Sequence, residues 1–274
     1  MIDAHHHFWH YQPQQFPWIN GTMTVLQRDF LAADMHAELV GTGITGVVSV
    51  QARQITEETD FLLAQADQNP LIRGVVGWAP LIAADVQEKL ENYAHHPKLK
   101  GYRHVLHDEL DDQYMLRADF NAGLSRLAPL GLCYDILIFA RHLPFAIELV
   151  DRHPDQIFIL DHVGKPDIQN KRIEPWKRNM ASLAERPNVV CKLSGMVTQA
   201  DWAAWTPADL EPYVDAVLDS FGPNRMMFGS DWPVCIVAGG YRRWIDTAKS
   251  LTEKLSADEG NWVWHRTATT TYRL

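Results

Sequence analysis

The chain has 274 residues, of which 46% are hydrophobic, so it can form one large domain or two small ones with a substantial core. Its 25 basic and 34 acidic residues give a net charge of −9, and no run of five basic residues occurs, which argues against nucleic-acid or anionic-membrane binding. Three scattered cysteines argue against a disulfide framework, and no stretch reads as a membrane span or secretory signal, so a soluble cytoplasmic protein is expected.

The first stretch, MIDAHHHFW, predicts a short β-strand that carries a pair of histidines. Apolar and polar residues alternate over residues 2–5, which is typical of a strand. Side chains two apart share a face, so His5 and His7 are expected to project together and His6 the other way. Two such imidazoles can bind a metal ion or hold an anionic or carbonyl oxygen. A tag remnant is the simpler alternative, but the histidines lie between apolar residues.

Residues 8–21 are rich in aromatic residues, contain two prolines and predict a long loop of the kind that often covers a site. The chain then alternates regularly between helical and apolar extended segments. Helices are predicted at 28–41, 58–68, 85–96, 118–131, 144–154, 173–186, 208–222 and 241–252. Strands, the sixth and eighth with their following turns, are predicted at 46–52, 74–81, 99–106, 133–139, 157–166, 189–196 and 225–234.

Counting the first strand, eight strands alternate with eight helices. Near-continuous apolar strands are typical of parallel sheets buried on both faces. Eight units in about 250 residues fit a (β/α)8 barrel. A doubly wound sheet is the alternative, but it would normally carry a glycine-rich turn after the first strand, where this chain has three histidines. No break in composition occurs, so residues 1–274 are expected to form a single domain.

In such barrels the active site lies at the carboxyl ends of the strands, and polar residues stand at these positions here. They are His5, His7, Gln51, Trp78, Arg103, His104, His107, Arg141, Asp161, His162, Lys165, Lys192, Ser194, Asp231 and Trp232. So many polar groups need water, a ligand or a metal ion. Asp161 is expected to cap a turn. Arg103 and His104 point in opposite directions on a continuing strand, so one of them is expected to face the helices.

An H-x-H pair on the first strand, a histidine on the sixth and an aspartate on the eighth resemble the amidohydrolase superfamily. The segments IDAHHHFW, VVSVQARQITEETDFLLA, LKGYRHVLHDE, LDHVGKP and FGSDWPV resemble, more closely, its amidohydrolase-2 group of sugar lactonases. The resemblance implies a (β/α)8 barrel. It also implies an enzyme that opens an aldonolactone, such as L-fucono- or L-rhamnono-lactone, to the aldonic acid.

The resemblance also assigns roles to residues. It implies that Asp231 is the general base and that the catalytic residues are Asp231, His162, His104 and Arg103. A single divalent metal ion, such as zinc, would be bound by His5, His7, His162 and Asp231. The fourth strand has no lysine that could bridge two metals, and the fifth shows no clear histidine ligand. We therefore expect at most one ion and no strict requirement for it.

The substrate is expected to be a small-molecule sugar lactone, bound by Trp9, Trp18, Trp78, Trp232 and Lys165. Two other functions remain open. One is a lactonase or decarboxylase acting on a carboxylated intermediate of aromatic degradation, for which Arg53, Arg103, Arg141 and Lys165 offer charge. The other is a non-catalytic sugar-binding barrel, against which the position of Asp231 argues. The sequence is compatible with a monomer or a homo-oligomer.

Overall fold

Eight parallel strands form one sheet whose order follows the chain in a computed structural model that describes residues 1–274. The strands are β1 (Ile2–His6), β2 (Gly46–Val50), β3 (Ile72–Gly77), β4 (Leu99–Val105), β5 (Cys133–Leu137), β6 (Phe158–Leu160), β7 (Val189–Leu193) and β8 (Met226–Phe228). The sheet closes because the His7 N–H donates to the Trp232 carbonyl and the Asp231 N–H donates to the His5 carbonyl. The predicted (β/α)8 barrel is therefore confirmed, and the doubly wound sheet is excluded.

All eight predicted helices are present around the barrel. They are α1 (Ala32–Leu39), α2 (Glu57–Gln68), α3 (Val86–Ala94), α4 (Ala118–Leu124), α5 (Leu143–Arg152), α6 (Trp176–Ala184), α7 (Pro207–Phe221) and α8 (Gly240–Thr252). Two further short helices, α9 (Ala257–Asn261) and α10 (Thr267–Tyr272), follow in a region where the sequence analysis assigns no element. None of the helices combines the length and apolar character needed to cross a membrane.

Alternate strand residues face two different apolar cores. In β2, Val47 lies in the large core between sheet and helices, whereas Val48 and Val50 lie in a small core inside the barrel. The inner core also includes Tyr272 of α10, so the last helix packs against the amino ends of the strands. Burial on both faces explains why the strand sequences are continuously apolar.

The predicted strands extend too far at their carboxyl ends. The strand predicted at 74–81 ends at Gly77, and the strand predicted at 189–196 ends at Leu193. The polar and turn-forming residues beyond these points leave the sheet and form loops and short 3-10 turns. The loop predicted at 8–21 contains no helix or strand, apart from one bridge between Trp9 and Phe30. The connections at this end of the barrel surround the candidate site.

Two helical glycines offer a matched test of the packing between a helix and a barrel loop. A Cβ at Gly123 in α4 would lie 1.9 Å from the Leu81 carbonyl oxygen, whereas a Cβ at Gly260 in α9 would meet nothing within 4 Å. We expect Gly123→Ala to lower the free energy of unfolding by about 1–3 kcal/mol through overpacking. Gly260→Ala should instead raise it by up to about 1 kcal/mol, because alanine favours the helix. Urea denaturation of both variants measures the difference, and equal stabilities would contradict the close approach of α4 to Leu81.

Candidate active site

A cavity of about 210 Å³ opens at the carboxyl ends of the strands. Its walls differ in character. Strand β4 and the connections after β4 and β6 contribute charged and imidazole side chains, which are Arg103, His107, Asp108, His162 and Lys165. The connections after β1, β7 and β8 contribute mainly apolar side chains, which include Trp18, Met23, Trp202, Val234 and Val237. Asp231 and His7 also line the cavity. The cavity therefore suits a small ligand that has one polar edge and one apolar face.

Four residues predicted as a possible metal site converge at this cavity. Ligand atoms of His5, His162 and Asp231 all lie within 4.8 Å of one another. Asp231 Oδ1 is 3.8 Å from His5 Nε2, 3.8 Å from His162 Nε2 and 3.4 Å from His7 Nε2. His5 Nε2 and His7 Nε2 are 3.2 Å apart. The structure thus brings together three imidazoles and one carboxylate from β1, β6 and β8.

A β-bulge in β1 gives His5 its orientation. Asp3 lies opposite Val47 and His6 lies opposite Ser49, so three steps along β1 match two steps along β2. The extra residue places Asp3 and His6 on the same outer side, where His6 Nε2 is 2.9 Å from Ser49 Oγ. Strict alternation would have placed His5 on the side of Asp3. The bulge turns it into the barrel instead.

The backbone that carries His162 and Lys165 is left-handed over four successive residues. The φ angles of His162, Val163, Gly164 and Lys165 are 54°, 48°, 70° and 46°. Asp231 also has a positive φ, of 57°. Such conformations cost about 1–3 kcal/mol each for residues other than glycine and cluster at functional sites. They fix the directions in which these side chains leave the backbone.

The partners of two imidazoles fix the proton position of the first and the orientation of the second. His7 Nδ1 lies 2.8 Å from the Val50 carbonyl, which can only accept, so Nδ1 carries the hydrogen. Nε2, on the other side of the ring, is then directed at Asp231. His162 Nδ1 lies 2.9 Å from Ser194 Oγ, which holds its ring with Nε2 directed at the same carboxylate. These contacts orient the rings in the way that outer partners orient metal ligands.

The protonation states favour neutral rings around an anion. Burial lowers the pKa of His162 to about 4, and burial also lowers the pKa of His5 well below its usual value. Burial would raise the pKa of the Asp231 carboxyl, but nearby His162, His7 and Lys165 outweigh it and the pKa is lowered. At neutral pH Asp231 is therefore an anion that can accept a proton.

A second polar cluster lies directly beneath these residues, inside the barrel. Asp161 Oδ2 accepts from Arg103 at 2.9 Å, and Asp161 Oδ1 is 3.0 Å from Lys192 Nζ. Lys192 also pairs with Asp135 at 2.5 Å, and its Nζ is 3.2 Å from His5 Nδ1. All of these side chains are buried. The expectation that Asp161 merely caps a turn is corrected, since this carboxylate neutralises two buried cations.

His104 does not face the cavity, although the sequence analysis included it among the catalytic residues. Its Nδ1 accepts from Trp78 Nε1 at 3.3 Å, its Nε2 is 2.6 Å from Glu109, and its ring stacks on Tyr114. Arg103 points inward and lines the cavity, with its guanidinium bonded to Gln51 and Asp161. Of the two neighbours, Arg103 faces the site and His104 faces the helices.

Three of the four tryptophans predicted to bind substrate lie outside the cavity. Trp9 is fully buried and donates from Nε1 to the Arg28 carbonyl, and Trp232 packs edge-on against Phe30. Trp78 donates to His104 and does not line the cavity either. These indoles support the first loop and the helices, which corrects their expected role. Trp18 does line the cavity, as does Lys165.

Part of the cavity wall was not predicted from the sequence. Thr198, Gln199 and Trp202 come from the connection between β7 and α7. They follow no motif and lie several residues beyond the strand, so nothing in a single sequence marks them. Lys192, which is among the strand-end residues named from the sequence, lies beneath the cavity, where its charge is paired with Asp135.

The chain is similar to known proteins over its whole length. A family model described as "Amidohydrolase" matches residues 2–274. The chain is 40% identical over 288 residues to a protein named L-fucono-1,5-lactonase from Burkholderia multivorans, which covers 100% of this chain and 96% of the relative. A protein of the same name from Burkholderia ambifaria is 36% identical over 250 residues, covering 89% of this chain and 85% of the relative.

A solved structure agrees with these matches. An amidohydrolase from Burkholderia multivorans with bound zinc superimposes with a TM-score of 0.96 at 40% identity. The match covers 100% of this chain and 99% of the other. The resemblance drawn from the sequence segments is therefore confirmed, and it extends over the entire barrel.

His107, which lines the cavity, predicts a pH dependence of stability. Burial, together with the nearby cations Lys165 and Arg103, lowers its pKa to about 2. In the unfolded chain the pKa is about 6.5, so the unfolded state binds more protons as the pH falls below that value. The contribution to stability is complete above pH 6.5 and is lost on acidification. We expect His107→Gln to reduce the slope of unfolding free energy against pH, between pH 6.5 and 4.5, by up to about 1.4 kcal/mol per pH unit.

Urea denaturation at several pH values measures both slopes. Parallel slopes for the wild type and His107→Gln would mean that His107 takes up its proton in the folded protein, contrary to this prediction.

Proposed function

Since the chain belongs to the amidohydrolase family, we propose that it is a hydrolase that opens a sugar-derived lactone to the aldonic acid. Two relatives that align with most of this chain are named L-fucono-1,5-lactonase, which makes L-fucono-1,5-lactone the first substrate to examine. The observation that carries the proposal is the buried Asp231 carboxylate, held as an anion among three imidazoles at the base of the cavity. A base in this position serves attack by water on a carbonyl.

The proposed reaction begins when Asp231 accepts a proton from a water molecule, whose oxygen attacks the lactone carbonyl carbon. Negative charge then develops on the carbonyl oxygen. His162 stabilises that charge by donating from Nε2 when Ser194 donates to its Nδ1, and Arg103 adds a fixed cation 3.2 Å from His5 Nε2. Collapse of the intermediate breaks the ring C–O bond, and the ring oxygen leaves as a hydroxyl after receiving the proton held by Asp231. The new carboxylic acid releases its proton to solvent, so the open-chain product carries one carboxylate and one hydroxyl.

The same residues fit one divalent metal ion. His7 Nε2 lies 3.4 Å from the Asp231 carboxylate, with His5 Nε2 and His162 Nε2 each 3.8 Å from the same oxygen, so three nitrogen atoms and one carboxylate are directed at one point. His5, His162 and Asp231 would hold the ion, with His7 beside them. When bound, it would lower the pKa of a water molecule toward about 7. A relative of known structure contains zinc, which supports this part of the proposal.

The ion is proposed to assist turnover without being strictly required. Lys192 Nζ lies 3.2 Å from His5 Nδ1, and His5 Nε2 lies 3.2 Å from His7 Nε2. Arg103 Nη1 also lies 3.2 Å from His5 Nε2, so two fixed cations adjoin the His5 ring and can stabilise developing negative charge without an ion. A lactone is also an activated ester whose opening requires less help than amide hydrolysis does.

The cavity favours a lactone over a multiply carboxylated aromatic substrate. Of the four cationic residues that would serve such a substrate, Arg53 is paired with Glu58 and Arg141 with Asp112, and neither lines the cavity. Arg103 is already bonded to Asp161. Only Lys165 is left to meet a substrate carboxylate. A non-catalytic sugar-binding barrel would not need a buried carboxylate among neutral imidazoles.

Acid release from a panel of aldonolactones, followed with a pH indicator, tests the proposal. The wild type should hydrolyse at least one member, and Asp231→Asn should lower kcat by about 10²–10⁴ because the general base is lost. Asp258→Asn, which removes an exposed carboxylate paired with Arg266, serves as the matched control and should retain full activity. A folded Asp231→Asn enzyme with near-normal kcat would remove Asp231 from the mechanism, and a wild type that opens no aldonolactone would refute the function.

Elemental analysis and chelation test the role of the metal. We expect at most one divalent ion per chain, and most of the lactonase activity should remain after exhaustive chelation. One tightly bound equivalent, whose removal abolishes turnover and whose return as zinc restores it, would reverse this prediction. Asp231 would then be a metal ligand as well as a base.

A further inference from the structure

Lys165 is the one cation of the cavity wall whose charged group has no protein partner. Its ammonium forms no hydrogen bond or ion pair within the protein, and the nearest feature is the face of Phe139, whose ring centroid is 5.4 Å from Nζ. Side-chain ammonium groups are normally solvated or paired, so an unpartnered one that lines a cavity is available to a ligand.

The other positively charged or imidazole groups of the wall are already engaged. Arg103 donates to both the side chain and the carbonyl of Gln51 and to Asp161. His7 donates to Val50, and His162 is bonded to Ser194. The remaining imidazole, His107, lies beside Asp108 and is neutral because its pKa is about 2. A ligand anion in this cavity can therefore find an unused positive charge only at Lys165.

The turn after β6 holds Lys165 in this position. Lys165 has a φ of 46°, and its N–H donates to the His162 carbonyl at 2.8 Å. The preceding Val163 is fully buried, and its carbonyl accepts from Trp176 Nε1 at 2.8 Å. Because packing maintains this strained turn, the lysine side chain is directed into the same cavity as His162.

We propose that Lys165 forms a carboxylate-binding subsite, which receives the carboxylate produced when the lactone ring opens. The inference rests on the proposed function, because it takes the product to be an aldonate. Hydrolysis turns a neutral ester into an anion inside a cavity that already holds the Asp231 anion. A charge-assisted hydrogen bond from the Lys165 ammonium offsets that repulsion and stabilises the product and the transition state that resembles it.

Binding measurements with a charged and an uncharged ligand test the subsite. L-fuconate carries the carboxylate, and L-fucitol has the same carbon chain with a hydroxymethyl group in its place. Isothermal titration should show that Lys165→Met weakens L-fuconate binding by about tenfold or more, since a hydrogen bond to a charged group contributes about 1.5–3 kcal/mol. L-fucitol binding should change less than twofold. Lys165→Arg should keep most of the L-fuconate affinity, and Lys177→Met, at an exposed position of α6, controls for the loss of a surface charge.

The possible results separate the two proposals. If Lys165→Met weakens both ligands equally, or leaves L-fuconate binding unchanged, the subsite is refuted while the lactonase activity of the wild type still stands. If L-fuconate binds through Lys165 but no aldonolactone is hydrolysed, the proposed function fails and the anion subsite remains. A wild type that binds no L-fuconate refutes the subsite directly. Circular dichroism of Lys165→Met and the behaviour of Lys165→Arg show whether a loss reflects misfolding.

Discussion

The Asp161 carboxylate is the contact on which the candidate site depends. It lies inside the barrel between Arg103 and Lys192, and it is 3.2 Å from His5 Nδ1. Burial would raise its pKa, but Lys192, His5 and Arg103 together hold the pKa well below its usual value, so the group remains an anion. Breaking a buried ion pair by removing one partner typically costs about 3–5 kcal/mol, because the remaining charges stay buried and uncompensated. The cluster therefore holds the inward-facing side chains of β1, β4, β6 and β7 in a single arrangement.

Backbone strain above this cluster fixes the groups that meet the ligand. His162, Lys165 and Asp231 all have positive φ angles, although none is a glycine. A chain adopts such angles only where its surroundings impose them. Here the Asp231 N–H donates to the His5 carbonyl, which connects β8 to β1, and the turn after β6 is held by buried packing. The hydrogen bond that closes the barrel between β8 and β1 therefore also holds the backbone of Asp231, the proposed base.

The sequence predicted the fold and the centre of the site for definite physical reasons. Eight apolar strands that alternate along the chain with helices predict the barrel. Charged residues at the strand ends lie close together because the carboxyl ends of all the strands form one rim. His5, His7, His162 and Asp231 were found in this way. The sequence could not show that the His104 side chain points toward the helices, because its direction depends on contacts with Glu109 and Trp78. Indole rings in an aromatic-rich segment can serve packing or binding equally well, so the burial of Trp9 and Trp232 could not be predicted either.

The positions of the apolar and the charged walls of the cavity follow from the order of the strands in the barrel. Neighbouring strands of a barrel have neighbouring connections, so the apolar side chains after β7, β8 and β1 form one continuous wall. The charged groups after β4 and β6 lie apart from it. The proposed aldonolactone substrate has an ester edge and a less polar ring face, so this division would favour one orientation in the cavity. Its ester edge would then lie beside Asp231 and Lys165, which carry opposite charges. In the proposed reaction the Asp231 anion accepts a proton from the attacking water, and the Lys165 cation binds the carboxylate that hydrolysis creates.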